Sequence, residues 1–517
     1  MLTTQALLER SLAAYAERVA VIDQDRSLTY GALDARSRKL ANALLGLGAG
    51  PERPVAVFLG NDAHFVEIDT ACMRAGITRV GIASRLAADE CQFIVNHSGA
   101  AVLITSKALL ATLDRAALDS LSALVLVDGK DGAGQHDYES LLAKGADTLS
   151  VAAVTPDHSA YVLYTSGTTG RPKGASHSQG GRVGALVNML ANEIVADKNS
   201  AMVHGAPLTH GSGSKILSFL ALGARNIILP RFEPELFARA LALHGGSHSF
   251  MVPTMLHMLI EAGPKVCQAV RGMRQLSFGG APITNAAFGR ALEAFGPRLV
   301  QVYGTSEAPH PATVLKPDDY ADADDPAALA ETAGRAGLST ELAVIDDEGR
   351  RLAVGEEGEL LLRGPYLMRG YWRDPAATAE VFDAQGWYKT GDVAVVDAQG
   401  FVRFKDRKRD LIITGGLNVY PSEVERVLAA HPQVREVAVI GYPDDRWGES
   451  VMACVVAKDR LATSEEALIA WMEGKIAGYK KPRKVTFLDE LPKGSTNKVL
   501  KRALREQFWA GRGRRIN

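Results

Sequence analysis

Short apolar runs recur along the chain at residues 55–58, 102–105, 124–128 and 227–229. They are too short for helices and rich in β-branched and aliphatic residues, which predicts buried strands. Between such runs, residues 233–243 and 283–295 carry apolar positions at helical spacing, which predicts amphipathic helices. Alternation of strand and helix argues for an α/β architecture with mostly parallel sheets. No internal repeat is evident. The acidic stretch 317–326 reads as a surface loop, since its aspartates lack the spacing and the glycine of a calcium-binding loop.

The pattern restarts near residue 406. The charged run 404–410, Phe-Lys-Asp-Arg-Lys-Arg-Asp, follows an Ala-Gln-Gly turn at 398–400. Beyond it come a predicted helix at 422–430, a strand at 437–440 and a helix at 467–476. A chain of 517 residues exceeds one ordinary core, so more than one domain is expected. The reading is an α/β fold: a large N-terminal domain of mixed sheets flanked by helices (1–406), a hinge (407–410) and a small mobile α+β domain (411–517).

Composition narrows the class of partner. Hydrophobic residues make up 47% and charged residues 23%, a globular balance, and the net charge is -1. Nothing global points to nucleic acid or a membrane surface. The basic end (Lys498, Lys501, Arg502, Arg505, Arg512, Arg514, Arg515) reads as a solvated helix and tail, with Lys498 set apart below. The cysteines, Cys72, Cys91, Cys267 and Cys454, are scattered, so free buried thiols are expected rather than zinc or disulfides. The N-terminal stretch carries Glu9, Arg10, Glu17 and Arg18 and lacks a signal-peptide core. No apolar run is long enough for a membrane span. A cytoplasmic protein is expected, and a homo-oligomer stays open.

The most informative segment runs Tyr164-Thr165-Ser166-Gly167-Thr168-Thr169-Gly170-Arg171-Pro172-Lys173-Gly174. Its glycines let backbone N–H groups approach a ligand through positive φ, its hydroxyls donate to phosphate oxygens, and Lys173 adds charge. A polyphosphate suits this set. It is not a Walker loop, which needs Gly before the Lys and Ser or Thr after it. A plain flexible linker does not account for the closing Pro and Lys.

This segment resembles the signature of the adenylate-forming superfamily, which includes acyl-CoA synthetases, adenylation domains and luciferases, and the match is closest to fatty or aromatic acyl-CoA ligases. Further motifs follow in the family's order, so the resemblance spans essentially the whole chain. Pro207 through Gly213, with His210, is similar to the acyl-pocket motif; His210 would lie beside the carboxylate being activated. Amino acids are disfavoured because no Asp stands there to pair with a substrate ammonium. Gly279-Gly280-Ala281-Pro282 resembles the adenine-side loop. In Gln301-Val302-Tyr303-Gly304-Thr305-Ser306-Glu307 the resemblance implies Tyr303 on adenine, Ser306 on the α-phosphate or carboxylate, and Glu307 as catalytic carboxylate and Mg²⁺ ligand.

Asp392, in Tyr388-Lys389-Thr390-Gly391-Asp392, and Arg407 match the ribose contacts, and the hinge position falls on Arg409. Gly415, Gly416 and Leu417 resemble the loop lining the CoA tunnel, with Trp447 in a segment common to CoA ligases. Lys498 occupies the place of the C-terminal catalytic lysine. ATP- and AMP-binding residues are expected at Thr165, Ser166, Gly167, Thr168, Thr169, Gly170, Lys173, Gly280, Ala281, Pro282, Tyr303, Gly304, Ser306, Asp392 and Arg407.

What the resemblance implies is a two-step ligase. A carboxylate attacks the α-phosphorus of ATP, pyrophosphate leaves, and CoA then takes the acyl group from the adenylate, releasing AMP. ATP, Mg²⁺ and CoA are the expected cofactor and co-substrates. Transfer to a carrier-protein thiol or an amine stays open, because Leu417 stands where the family often has a polar residue. A catalytically silent module is disfavoured by the intact Lys173, Glu307, Asp392, Arg407 and Lys498. By motif position the acyl pocket is expected to involve Gly211, Ser212, Lys215, Ile216, Met251, Val252, Gly279 and Val302, which suggests an apolar acid, aliphatic or aromatic. Lys215 is expected to pack its stem and send its ammonium to water, with a second substrate anion as the alternative.

Overall fold

The computed structural model describes every residue except Met1, Asp25, Asp131, Ala133, Ala152, 166–170, Asp322, Asp324, Asp445, 495–498 and 510–517. Two compact units are present. One comprises Met1–Glu341 with Leu362–Tyr388, the other Leu342–Leu361 with Lys389–Asn517.

Among the described residues the first unit is built on sheets of eight and nine strands. In the first sheet Arg79–Ala83, Val55–Leu59, Val102–Thr105 and Ala123–Leu126 run parallel, and every residue in them is buried. Val55 and Val57 pack with Leu40, Leu44, Phe65 and Ile68 on one face. Ala56 and Phe58 pack with Cys91, Ile94 and Val95 on the other. A strand covered on both faces has no polar side to show, so it reads as an unbroken apolar run.

The nine-stranded sheet contains the parallel neighbours Arg225–Ile228, Ala201–His204, His248–Met251, Gln275–Gly279 and Leu299–Tyr303. The predicted helix at 233–243 is Pro234–His244, stopped by Gly245 at φ 63. The one at 283–295 starts later, at Asn285, because the Thr284 side chain caps it.

The second unit carries most of a four-stranded sheet, ordered Glu341–Ile345, Glu357–Arg363, Tyr388–Val396 and Val402–Arg407. It also carries a sheet centred on the hairpin Val434–Asp444 and Gly448–Ala457. Helices Pro421–Ala429 and Glu465–Trp471 contribute to the core on one side of that hairpin, and Leu504 of Lys501–Trp509 contributes on the other. The chain is therefore α/β, with a large N-terminal body of mixed sheets and a small C-terminal domain.

Some expectations need correction. The acidic stretch is not all loop: Pro317–Tyr320 is a short helix, because buried Tyr320 anchors it by donating to Leu299 O at 2.9 Å. The helix expected at 467–476 is Glu465–Trp471, begun by the Ser464 cap and followed by turns that include Gly474 at φ 72. Arg505 is not solvated. It is 9% exposed and its Nη2 lies 2.8 Å from Asp410 Oδ1. The cysteines are free, with Cys72, Cys91 and Cys454 buried. No described helix is long and apolar enough to cross a membrane.

Candidate active site

The carboxyl ends of three neighbouring parallel strands bring the acyl- and adenine-side motifs into one region. Met251 pairs with Phe278, and Gly279 with Val302. Val252, Gly280 and Gly304 begin the loops beyond. Open α/β sheets bind their ligands at such carboxyl ends. Two glycines there are fixed by space: a Cβ on Gly279 would lie 2.2 Å from Val302 O, and one on Gly304 would lie 2.5 Å from His310 N. Ala281 and Pro282 follow Gly280 on the surface, and Tyr303 is half-buried.

Strands Ser159–Thr165 and Lys173–Ser178 form an antiparallel hairpin in which Thr165 faces Lys173. Ser166, Gly167, Thr168, Thr169 and Gly170 lie outside the described residues. Gly174 was expected to serve through positive φ, but it is not among the positive-φ glycines. It is needed for closeness, since its Cβ would sit 2.7 Å from Val162 Cγ1 and 3.0 Å from the Tyr164 ring.

The short strand Gly370–Tyr371 pairs with Lys173–Ser178 and brings a residue that the motifs did not single out. The Tyr371 hydroxyl donates to Glu307 Oε1 at 3.0 Å, and Lys173 Nζ lies 5.3 Å from the Tyr371 ring centroid. Met368 N donates to the Glu307 carbonyl at 2.8 Å. His177 Nε2 donates to Ser306 O at 2.7 Å, and burial holds this imidazole neutral, with its pKa lowered to about 4. Lys173, Glu307 and Ser306 are thus connected through Tyr371 and His177. Nothing in residue spacing marks either connector.

Glu307 fits a hard cation. Tyr371 engages Oε1, and among the described residues no group of three or more His, Cys, Asp or Glu able to hold a metal occurs. Mg²⁺ is commonly bound by one or two carboxylates together with substrate phosphates and water, a set to which the single carboxylate of Glu307 could contribute.

The acyl-side motif divides. His210 Nδ1 is 2.9 Å from Thr209 Oγ1. Gly211 is pressed against a flat pair: a Cβ there would lie 2.7 Å from the Phe250 ring and 2.9 Å from His310 Nε2. Phe250 and His310 stack at 4.8 Å with an interplanar angle of 8°. Ser212 and Ile216 turn inward. Ser212 Oγ lies 2.9 Å from His204 Nδ1, and Ile216 joins the hydrophobic core.

Lys215 corrects the expectation of a water-exposed ammonium. It is 1% exposed, ion-paired with the fully buried Glu193, and 3.4 Å from His310 Nδ1. Burial alone would raise the Glu193 pKa, but Lys215 and then His310 hold the carboxyl well below its usual range. Lys215 is therefore compensated from inside the protein. Glu193 and His310 carry no motif, and sequence reading had no means of bringing them to Lys215.

In the second unit, Asp392 and Arg407 face each other across adjacent antiparallel strands, Oδ1 to Nε 2.5 Å. Asp392 is 6% exposed, and its N–H donates to Thr390 Oγ1 at 3.0 Å. Arg409 lies exposed in the turn Lys408–Asp410. Gly415 and Gly416 have φ 57 and 79 and connect the hairpin Ile412–Thr414 and Leu417–Val419. The Trp447 ring is packed so near that a Cβ on Gly415 would lie 2.6 Å away. Leu417 is half-exposed. Lys498 lies outside the described residues, while neighbouring Lys501 is tied to Glu425 at 2.7 Å.

Residues 8–372 match the AMP-binding enzyme family, and residues 423–498 match the AMP-binding enzyme C-terminal domain. The chain is 36% identical over 488 residues to a feruloyl-CoA synthase of Amycolatopsis sp, covering 93% of this chain and 94% of that one. It is 33% identical over 494 residues to an indoleacetate–CoA ligase of Aromatoleum aromaticum, covering 95% of each. The solved amide bond synthetase McbA from Marinactinospora thermotolerans superposes with TM-score 0.86 at 30% identity, over 98% of this chain and 100% of that one. The chain belongs to the AMP-binding, adenylate-forming superfamily and is an enzyme of its AMP-forming acyl-CoA ligase family.

Proposed function

We propose that the enzyme joins an apolar, preferentially aromatic, carboxylic acid to CoA. The first step forms a bond between a carboxylate oxygen and the α-phosphorus of ATP and breaks the α–β bridge, releasing pyrophosphate. The second forms a thioester from the acyl-adenylate and the CoA thiol; AMP leaves and the thiol proton goes to solvent. A carboxylate is already a nucleophile, so the task of the protein is to orient two anions and stabilise developing charge. Lys173 supplies a cation, Ser306 donates to the reacting phosphate or carboxylate, and His210 orients the acid. Glu307 would hold Mg²⁺, which would supply charge neutralisation.

Asp392 accepts from the ribose hydroxyls beside Arg407, Tyr303 stacks on adenine, and Gly415, Gly416, Leu417 and Trp447 line the path of the thiol. Arg409 is the pivot between residues 1–406 and 411–517, Lys498 serves the first half-reaction, and the protein works in the cytoplasm. The linkage of Lys173, Tyr371 and Glu307 carries the adenylation reading. Near-full-length similarity to two CoA ligases of aromatic acids supports the acceptor and the acid, as does the flat Phe250–His310 wall beside Gly211.

Similarity to an amide bond synthetase favours one second reading, an amine acceptor. Pyrophosphate release over a panel of aromatic and aliphatic acids, followed by product analysis with CoA or amines, separates them. Thioester formation with aromatic acids is expected. Amide formation with CoA ignored would replace the proposed acceptor.

A further inference from the structure

Tyr371 is fastened on every side. Its main-chain N–H donates to Thr378 Oγ1 at 2.9 Å, and the N–H groups of Arg369 and Trp372 donate to Ser176 O and Gly174 O at 2.8 and 2.6 Å. Gly370, before it, sits at φ 150, and a Cβ there would lie 2.6 Å from Thr378 Cγ2. The backbone that aims the phenol is therefore held by the strand carrying Lys173 and by the helix Pro375–Val381. The phenol ends on one oxygen of Glu307, while Met368 holds the main chain of the same glutamate.

A free glutamate side chain turns about three bonds and offers about four lone-pair directions. A phenol O–H on Oε1 removes most of that freedom and leaves the lone pairs of Oε2 for another partner. We infer that Tyr371 is a positioning residue that orients the Glu307 carboxylate toward a divalent cation while its ring face holds Lys173. The inference rests on the reading of Glu307 as the metal carboxylate. The two jobs use different parts of one side chain: the hydroxyl acts on the carboxylate, and the ring acts on the ammonium. They can therefore be separated by substitution.

The probe is α,β-methylene-ATP, which cannot donate its adenylyl group because its α–β methylene bridge does not break, titrated calorimetrically with excess Mg²⁺ and again in EDTA. The ratio of the two Kd values measures the cation's contribution without turnover. Tyr371→Phe is expected to lower that ratio by about 10-fold or more, the usual effect of losing a hydrogen bond to a metal ligand, and to leave the EDTA value unchanged. Tyr371→Leu is expected to weaken binding in EDTA as well, because Lys173 loses the ring. Glu307→Gln is expected to lower the ratio, and adding Tyr371→Phe to it is expected to lower it no further.

If Glu307→Gln leaves the ratio intact, the metal reading falls and this inference falls with it. If Glu307→Gln lowers the ratio but Tyr371→Phe does not, only the inference is overturned. Additive losses in the double variant would also overturn it, because Tyr371 would then act by another route. Thermal melting of Tyr371→Phe checks that the fold is kept.

Discussion

Lys215 and Glu193 form an ion pair sealed inside the first unit, their side chains 1% and 0% exposed. Neither can be removed alone without leaving the other charge in an apolar interior. Lys215→Met is expected to cost about 3–5 kcal/mol of stability, the range for breaking a buried pair. The double variant Lys215→Met, Glu193→Gln should recover most of that loss. Urea denaturation of the three proteins checks this, and equal losses in single and double variants would contradict it.

The fold should also be acid-sensitive below neutrality. Burial is the largest cause of the lowered pKa of His177, His204 and His248, each at about 4. Such groups stay neutral when folded but take up a proton at about 6.5 once unfolded. Their contribution is full above pH 6.5 and is lost as pH falls toward 4, by about 1.4 kcal/mol per pH unit for each histidine at most. Glu193 loses its own contribution lower still, as pH falls from the ordinary carboxylate range toward its lowered pKa. Melting temperature measured from pH 8 to pH 4 should fall mainly below pH 6.5; a flat profile to pH 5 would show that these imidazoles titrate normally.

Asp392 tests the nucleotide reading in the second unit. Asp392→Ala removes a charged acceptor and leaves Arg407 without the partner 2.5 Å away. ATP affinity is expected to fall by about 1.5–3 kcal/mol, the span for a hydrogen bond to a charged group. Calorimetric titration decides, and an unchanged affinity would remove Asp392 from the ribose site.

Lys498 tests the two-step reading. Lys498→Ala should depress pyrophosphate release from ATP and acid by about 10²–10³-fold, as for loss of one charge-stabilising donor. Thioester formation from a synthetic acyl-adenylate and CoA should persist. Loss of both rates in a folded variant would contradict a lysine confined to the first half-reaction.

Elements with one strong local cause were legible in sequence. Val55–Leu59 is apolar throughout because both faces are buried, and Asn285–Phe295 follows its apolar period from the Thr284 cap. The Gly279 and Gly304 motifs also declared themselves, since backbone lies where a side chain would go. What stayed hidden depends on distant partners. The fate of Lys215 is decided by Glu193, 22 positions away, and by His310, 95 away. Tyr371 reaches Glu307 across 64 positions through a two-residue strand too short to leave a pattern. Motif position named Ser212 and Ile216 but could not tell which way they faced: Ser212 bonds His204 and Ile216 lies in the hydrophobic core.

The crowding at Gly211 has an evolutionary consequence. A methyl at 211 collides with the Phe250 ring and with His310 Nε2, so this position cannot drift by itself. Both rings border the sealed Lys215 charge, His310 Nδ1 at 3.4 Å from its Nζ and the Phe250 centroid at 5.2 Å, so shrinking either one to make room also changes the surroundings of that ammonium. A lineage gaining a side chain at 211 would therefore give up bulk at 250 or 310 in linked replacements that keep the combined volume nearly constant. Descendants of this enzyme that carry a side chain at 211 should carry a smaller residue at 250 or 310 as well.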